Sequence, residues 1–187
     1  MVRKVVMAAL SAGAIMLGAP AFAADPIAKA VKLPDGSLTQ EGAKDVDGKW
    51  TLPDGTPTYR ITTKDGKIEK LDWYSYSGFR RYHSECHVCH GPEGEGSTYA
   101  PALVKSLQTM SYGDFLAVVA SGRIRNEAGT EYVMPALGDN KNVMCYIDDM
   151  YLYLKARADG AMPRGRPPGR DEKPPQADEY DKQCFGG

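Results

Sequence analysis

The sequence predicts an all-α fold, with a small N-terminal β-hairpin extension ahead of the helices and an extended C-terminal tail behind them. Three observations carry this reading. Between residues 72 and 157 apolar side chains recur at helical spacing on both sides of the run Cys86-His87-Val88-Cys89-His90. Ahead of that region, Asp-Gly turns punctuate a polar stretch that contains one pair of alternating, β-branched runs. Behind it, Pro163, Pro167, Pro168, Pro174 and Pro175 stand among charged residues and break any regular pattern.

Residues 1–23 read as a secretory signal. Arg3 and Lys4 form a positive start, residues 5–17 an apolar run, and Pro20-Ala21-Phe22-Ala23 ends in the Ala-x-Ala pattern of a cleavage site. The apolar run is short of the about 20 residues that span a bilayer; a retained anchor is the alternative, and the Ala-x-Ala end argues against it. No later segment is apolar enough to cross a membrane. The expectation is an exported chain in the bacterial periplasm, with no membrane span after cleavage. No arginine pair marks a twin-arginine signal, so export is expected to precede folding. Cleavage leaves 21 basic against 24 acidic residues, a net charge of −3 with histidines neutral. That balance excludes a basic nucleic-acid binder. The remaining length suits one domain with extensions.

Residues 24–71 form the N-terminal extension. Thr58-Tyr59-Arg60-Ile61-Thr62-Thr63 and Lys67-Ile68-Glu69-Lys70-Leu71 alternate, and Asp65-Gly66 lies between them, which predicts a hairpin or a three-stranded meander. The two copies of Leu-Pro-Asp-Gly, at residues 33–36 and 52–55, are shared turn chemistry.

Residues 72–160 form the central domain, and Cys86-x-x-Cys89-His90 is its chemical signature. Two thiols three positions apart can bond to the two vinyl-derived carbons of one porphyrin edge, and the adjacent histidine can reach the iron: this is the attachment signature of a c-type haem. A zinc site normally needs a second distant ligand pair, and a redox dithiol has no use for His90. One covalent haem c is expected, held by Cys86 and Cys89 with His90 as proximal iron ligand. Cys145 and Cys184 belong to no second motif. In an oxidising compartment their default is a disulfide. It would close a loop of roughly 40 residues and tie back the proline-rich tail, residues 161–187, at a gain of a few kcal/mol.

The central region resembles a class I cytochrome c. Gly78 and Tyr82, eight and four residues before Cys86, match the family's glycine and aromatic on the N-terminal helix, and Asp149-Met150-Tyr151-Leu152-Tyr153-Leu154-Lys155 resembles its C-terminal helix. The run Gly91-Pro92-Glu93-Gly94-Glu95-Gly96 resembles its glycine-rich turn, and Ala100-Pro101-Ala102-Leu103 its Gly-Pro-x-Leu segment. The resemblance implies a class I cytochrome c fold in which the Pro101 carbonyl accepts a hydrogen bond from His90 Nδ1–H and Leu103 lines the haem pocket. Met134, in Tyr132-Val133-Met134-Pro135-Ala136 after the glycine-bearing, irregular stretch 122–129, resembles the family's distal ligand loop. Met110, Met144 and Met150 are its rivals. A thioether ligand favours Fe(II), raises the potential and fills the sixth position, which suits electron transfer more than catalysis. Arg80, Arg81, Arg123 and Arg125 are read first as solvated surface residues, with pairing to propionates or to an acidic partner as the alternative and Arg123 the first candidate for a haem contact. Trp50 and Trp73 are read as packing residues. His83 and His87 lie on the wrong side of the haem to be distal ligands.

The mature chain is similar to a narrower group. Its four cysteines, Trp50-Thr51-Leu52-Pro53-Asp54-Gly55, Tyr82-His83-Ser84-Glu85-Cys86 and Asn142-Val143-Met144-Cys145-Tyr146 resemble the methanol-metabolism-related four-cysteine c-type cytochromes of the inducible c-553i type. This implies a carrier, not an enzyme. It would take electrons from a periplasmic dehydrogenase, of the quinoprotein alcohol- or formaldehyde-oxidising kind, and pass them to another cytochrome or a terminal oxidase. A haem enzyme or ligand sensor with a labile distal ligand, and an accessory subunit of a quinoprotein dehydrogenase, are the alternatives.

Overall fold

The computed structural model describes residues 30–186; the signal segment read at 1–23 lies outside the described residues. The expectation of an all-α fold is overturned. The described residues are about 39% helical and 20% strand, with three sheets among them. Two short strands, β1 (Val31–Lys32) and β2 (Leu38–Thr39), precede a hairpin of β3 (Lys44–Val46) and β4 (Lys49–Thr51). The hairpin expected around Asp65-Gly66 is present as β5 (Ile61–Lys64) and β6 (Lys67–Leu71). It does not stand alone, because β1 and β2 join it in an antiparallel sheet of order β1-β2-β5-β6. The sheet closes through side chains that two-residue strands hide from a pattern search. Thr39 Oγ1 donates to the Tyr59 carbonyl at 2.6 Å, and Thr58 Oγ1 to Gln40 at 2.7 Å, all of them buried.

Helix α1 (Trp73–Glu85) follows β6 without a loop. Its N-cap, the buried Asp72, accepts from Ser75 N–H at 2.9 Å and from the strand-side Arg60 N–H at 2.8 Å, so one carboxylate joins sheet to helix. Then come α2 (His87–His90), a 3₁₀ turn at Pro92–Gly94, α3 (Leu103–Ser106) and α4 (Tyr112–Ser121), capped by Ser111. Here the chain departs again from the helical expectation. Residues read as an irregular loop form an antiparallel hairpin, β7 (Arg123–Glu127) with β8 (Thr130–Met134). Ala128 and Gly129 make its two-residue turn, both at positive φ. The chain returns through α5 (Lys141–Met144) and α6 (Ile147–Ala158). The tail is not wholly extended: it ends in α7 (Pro175–Phe185), which begins on a proline at its first position.

The α1–α6 crossing is the centre of the molecule. Gly78 sits where a Cβ would run into the Asp149 carbonyl and lie 3.0 Å from Met150 N. Tyr82 and Tyr153, both fully buried, meet across the crossing with ring centroids 5.5 Å apart, and Phe79 contacts Tyr153 edge-on at 5.6 Å. The sheet shares this core: Tyr59, Ile61 and Leu71 pack in one cluster with Tyr153, Leu154 and Ala156. Tyr59 Oη also donates to Asp159, which holds the buried Lys155 ammonium at 2.8 Å.

The tail is attached at several points. Leu71 N–H donates to Gly169 O and Asp171 N–H to Leu71 O, a short parallel bridge along β6. Arg170 stacks over Trp73 at 4.6 Å. Cys145 and Cys184 are joined in a disulfide, which holds α7 to the junction between α5 and α6. Tyr146 and Phe185 then meet with centroids 5.8 Å apart. Cys184→Ser is expected to lower the stability to urea by about 2–4 kcal/mol. It should also open the tail to protease in its proline-rich segment, while unchanged midpoints would show that the side-chain contacts alone hold it.

Between α1, α6, α7 and the β3–β4 turn lies a cavity of about 470 Å³. Asp149 lines it. Burial pushes this carboxyl up to about 7, with the Asp148 and Asp72 charges adding to the effect and a Ser77 hydrogen bond and the Lys49 charge opposing it. A folded value above the ordinary 3.8 means that the native state favours the protonated form. The stability that this proton contributes is full below pH 3.8 and is lost as pH rises towards 7. Asp149→Asn is therefore expected to raise the urea midpoint at pH 8 more than at pH 5. Equal shifts at both pH values would contradict this.

Candidate functional site

The expected attachment residues lie at the end of α1 and in α2. The Cys86 N–H donates to Tyr82 O at 2.9 Å and the His90 N–H to Cys86 O at 3.0 Å, so the five-residue motif is one helical extension of α1. Its only break is Cys86 itself, at φ −116° and ψ −27°. Cys89 is exposed and Cys86 partly buried, with its Sγ 3.8 Å from Met150 Sδ. Burial pushes the Cys86 thiol up to about 12, helped by the Glu85 and Cys89 charges. A redox dithiol needs the opposite, a thiolate stabilised near neutral pH. The zinc reading lacks partners as well: among the described residues no group of three or more His, Cys, Asp or Glu side chains is placed to hold a metal ion.

His90 is buried, 7% exposed, and its Nδ1 lies 3.0 Å from the Pro101 carbonyl. A carbonyl can only accept, so Nδ1 carries the proton and the Nε2 lone pair is free, the arrangement that orients a metal-binding imidazole. Burial lowers the pKa of His90, opposed by this same bond, and keeps the ring neutral.

His90 and Cys89 open onto a cavity of about 570 Å³, within the range of pockets that take a cofactor-sized ligand. Its walls include Pro101, Leu103, Met110, Val118, Arg123 and Met134. The residues present therefore fit a porphyrin anchored at its rim: the Cys89 thiol at the mouth with Cys86 three residues before it, a neutral imidazole with a free lone pair, apolar walls, and two thioethers within reach. Of the four candidate methionines, Met110 and Met134 line this cavity, whereas Met144 and Met150 do not; Met150 is fully buried in the α1–α6 crossing.

Met134 ends β8, and the hairpin holds it there. Arg123 and Met134 are register partners, Arg125 pairs with Tyr132, and these four side chains all line the cavity. The backbone is pinned from behind. Gly122, at φ +72°, sits where a Cβ would be 2.6 Å from Met134 O and 2.7 Å from Ala136 N. Arg123 is exposed and makes no ion pair among the described residues, whereas Arg125 pairs with Glu127 at 3.0 Å. Arg80 and Arg81 line the other cavity, where Arg81 stacks on Tyr146 at 3.6 Å. Trp73 also lines that second cavity, and Trp50 lies under the Arg60 guanidinium at 5.1 Å. Sequence reasoning missed Tyr132, Val118 and Thr130 as cavity walls. The alternation Arg123, Arg125 and Tyr132, Met134 about an Ala-Gly turn was the available signal.

The turn after His90 is locked from two sides. Tyr82 Oη donates to Gly91 O and accepts from Gly94 N–H at 2.9 Å. On the outer side, Arg157 and the tail residue Arg164 bind Glu95 at 2.9 and 3.1 Å, and Arg164 binds Glu93 at 2.8 Å. Burial pushes the Glu93 carboxyl up, but hydrogen bonds from Arg164 and Gly165 outweigh it and hold the group below its ordinary range.

No protein-family model matches the chain. Cytochrome c-553I of Paracoccus denitrificans is 48% identical over 164 residues, covering 84% of this chain and 71% of that protein. Cytochrome c-555 of Methylococcus capsulatus is 41% identical over 96 residues, covering 51% of this chain and 72% of that protein. The crystal structure of the c-type cytochrome XoxG from Methylobacterium extorquens AM1 superimposes with a TM-score of 0.69 at 46% identity, covering 85% of this chain and 99% of that one.

Proposed function

Because the chain belongs to the class I c-type cytochromes, in the methanol-metabolism-related group of cytochrome c-553I, we propose that it is a periplasmic monohaem electron carrier. Its cofactor is one covalently bound haem c, which supplies a one-electron Fe(II)/Fe(III) couple. In this reading Cys86 and Cys89 would hold the group covalently, and His90 and Met134 would supply its iron ligands. The observation that carries it is the combination of the Pro101-oriented His90 with a thioether on the wall of the same cavity. A second strong-field donor leaves no open position for a substrate, and a soft one raises the potential. Leu103 and Val118 exclude water from the pocket, and Arg123 offers a charge to a propionate.

The donor is a periplasmic dehydrogenase of the quinoprotein type that oxidises methanol, another alcohol or formaldehyde, and the acceptor is a further cytochrome or a terminal oxidase. Export follows from the signal read at residues 1–23. Among the described residues no helix is long and apolar enough to cross a membrane. The deciding experiment is stopped-flow reduction of the ferric protein by purified periplasmic dehydrogenases. Fast, saturable reduction by a quinoprotein methanol dehydrogenase, and not by unrelated dehydrogenases, is expected. Equal rates with all of them, or avid carbon monoxide binding by the unmodified ferrous protein, would defeat the carrier reading.

A further inference from the structure

The chain has three histidines. His90 faces the cavity; His83 and His87 line no part of it and have no task in the function above. They are four residues apart on the helical path that runs from α1 through Cys86 into α2, so they project from one face, one turn apart. Their ring centroids are 5.5 Å apart and the planes tilt by 57°. Two imidazoles that each place a nitrogen about 2.0–2.1 Å from one ion have centroids roughly 5 Å apart at tetrahedral angles. The observed pair is within a small side-chain adjustment of that spacing.

His83 is also held in a ligand's posture. Its Nδ1 lies 2.7 Å from the Phe79 carbonyl, so Nδ1 carries the proton and Nε2 is left as the donor atom. This is the arrangement by which a backbone carbonyl orients a metal-binding histidine. Its ring is wedged by Phe79, Tyr82 and Tyr153, at centroid distances of 4.5, 5.2 and 5.9 Å, which removes much of the rotamer freedom that metal binding would otherwise have to freeze. Both histidines are partly exposed, so an ion can reach them from solvent.

We propose that His83 and His87 form a two-nitrogen site for one divalent first-row transition ion, on the α1 flank of the haem motif and outside the haem cavity. Imidazole pairs suit borderline ions, and Cu²⁺ binds more tightly than Zn²⁺ at such a site. Two protein ligands leave the remaining coordination positions to water or to a donor group on a docked molecule.

The test uses the ferric holoprotein, so that added Cu²⁺ finds no electron to accept. Calorimetric titration with Zn²⁺, and Cu²⁺ titration followed by electron paramagnetic resonance, are expected to show one saturable ion per chain, with two nitrogen ligands on Cu²⁺. His83→Gln and His87→Gln should each weaken binding of both ions by at least about tenfold, with the haem spectrum unchanged. His87→Gln alters a partly exposed side chain and serves as the arm that does not disturb the aromatic cluster. The proposal is overturned if neither ion saturates a single site, or if either variant binds them as the unmodified protein does. The latter result would mean that the aromatic stack alone orders His83.

Discussion

Met134→Ala is expected to give a folded protein whose ferrous form binds carbon monoxide readily and whose midpoint potential falls. The fall should be on the order of 100 mV or more, inside the roughly 0.8 V that axial ligation spans. The reasoning is local. Met134 closes a two-stranded hairpin that stands against the cavity, and its loss removes the thioether without touching His90, the thiols or the α1–α6 crossing. Met110→Ala supplies the control, because that side chain also lines the cavity. It should leave both readouts near those of the unmodified protein. If the two variants exchange behaviour, the distal ligand is Met110 and the hairpin serves only as a wall.

The second large effect is structural. Gly78→Ala is expected to destabilise the protein by about 3 kcal/mol or more, at the upper end of overpacking costs in well-packed cores. A Cβ at this position has no free space, since the nearest atoms are the Asp149 carbonyl and the Met150 nitrogen of α6, not a side chain that could rotate away. The two helices would have to separate, and Tyr82, Tyr153 and Phe79 would lose contact together. Urea unfolding followed by far-ultraviolet circular dichroism reads the loss. A shift of under 1 kcal/mol would mean that the crossing is looser than its geometry indicates.

What could be read from the chain depended on how local each signal was. The geometry around His90 in the candidate site was legible because its parts are neighbours in sequence: a five-residue motif, an aromatic one helical turn before it, and Pro101 eleven positions after His90. The hairpin of β7 and β8 was not. Its charged residues Arg123, Arg125, Glu127 and Glu131 are all exposed, so no apolar alternation marked the strands, and Gly122 before them with Gly129 between them suggested an irregular loop. Helix α7 was hidden by Pro174 and Pro175, which read as breakers although a proline fits the first turn of a helix. It buries only Ala177, so it has almost no apolar stripe to detect. The four-stranded sheet escaped because β1 and β2 are two residues each, too short for an alternating pattern, and the side chains that tie this edge to residues 58–59 are the buried Thr39 and Gln40.

The hydroxyl of Tyr82 has a wider consequence. It belongs to the helix crossing through its ring and to the turn after His90 through its two hydrogen bonds, so opening either part disturbs the other. Axial ligation and the global fold should then melt as one cooperative unit, with coincident transitions by haem absorbance and by circular dichroism. On the ligation proposed above, a fluctuation that frees His90 also disturbs the tyrosine that packs the helix crossing, so the core itself helps to hold that ligand in place.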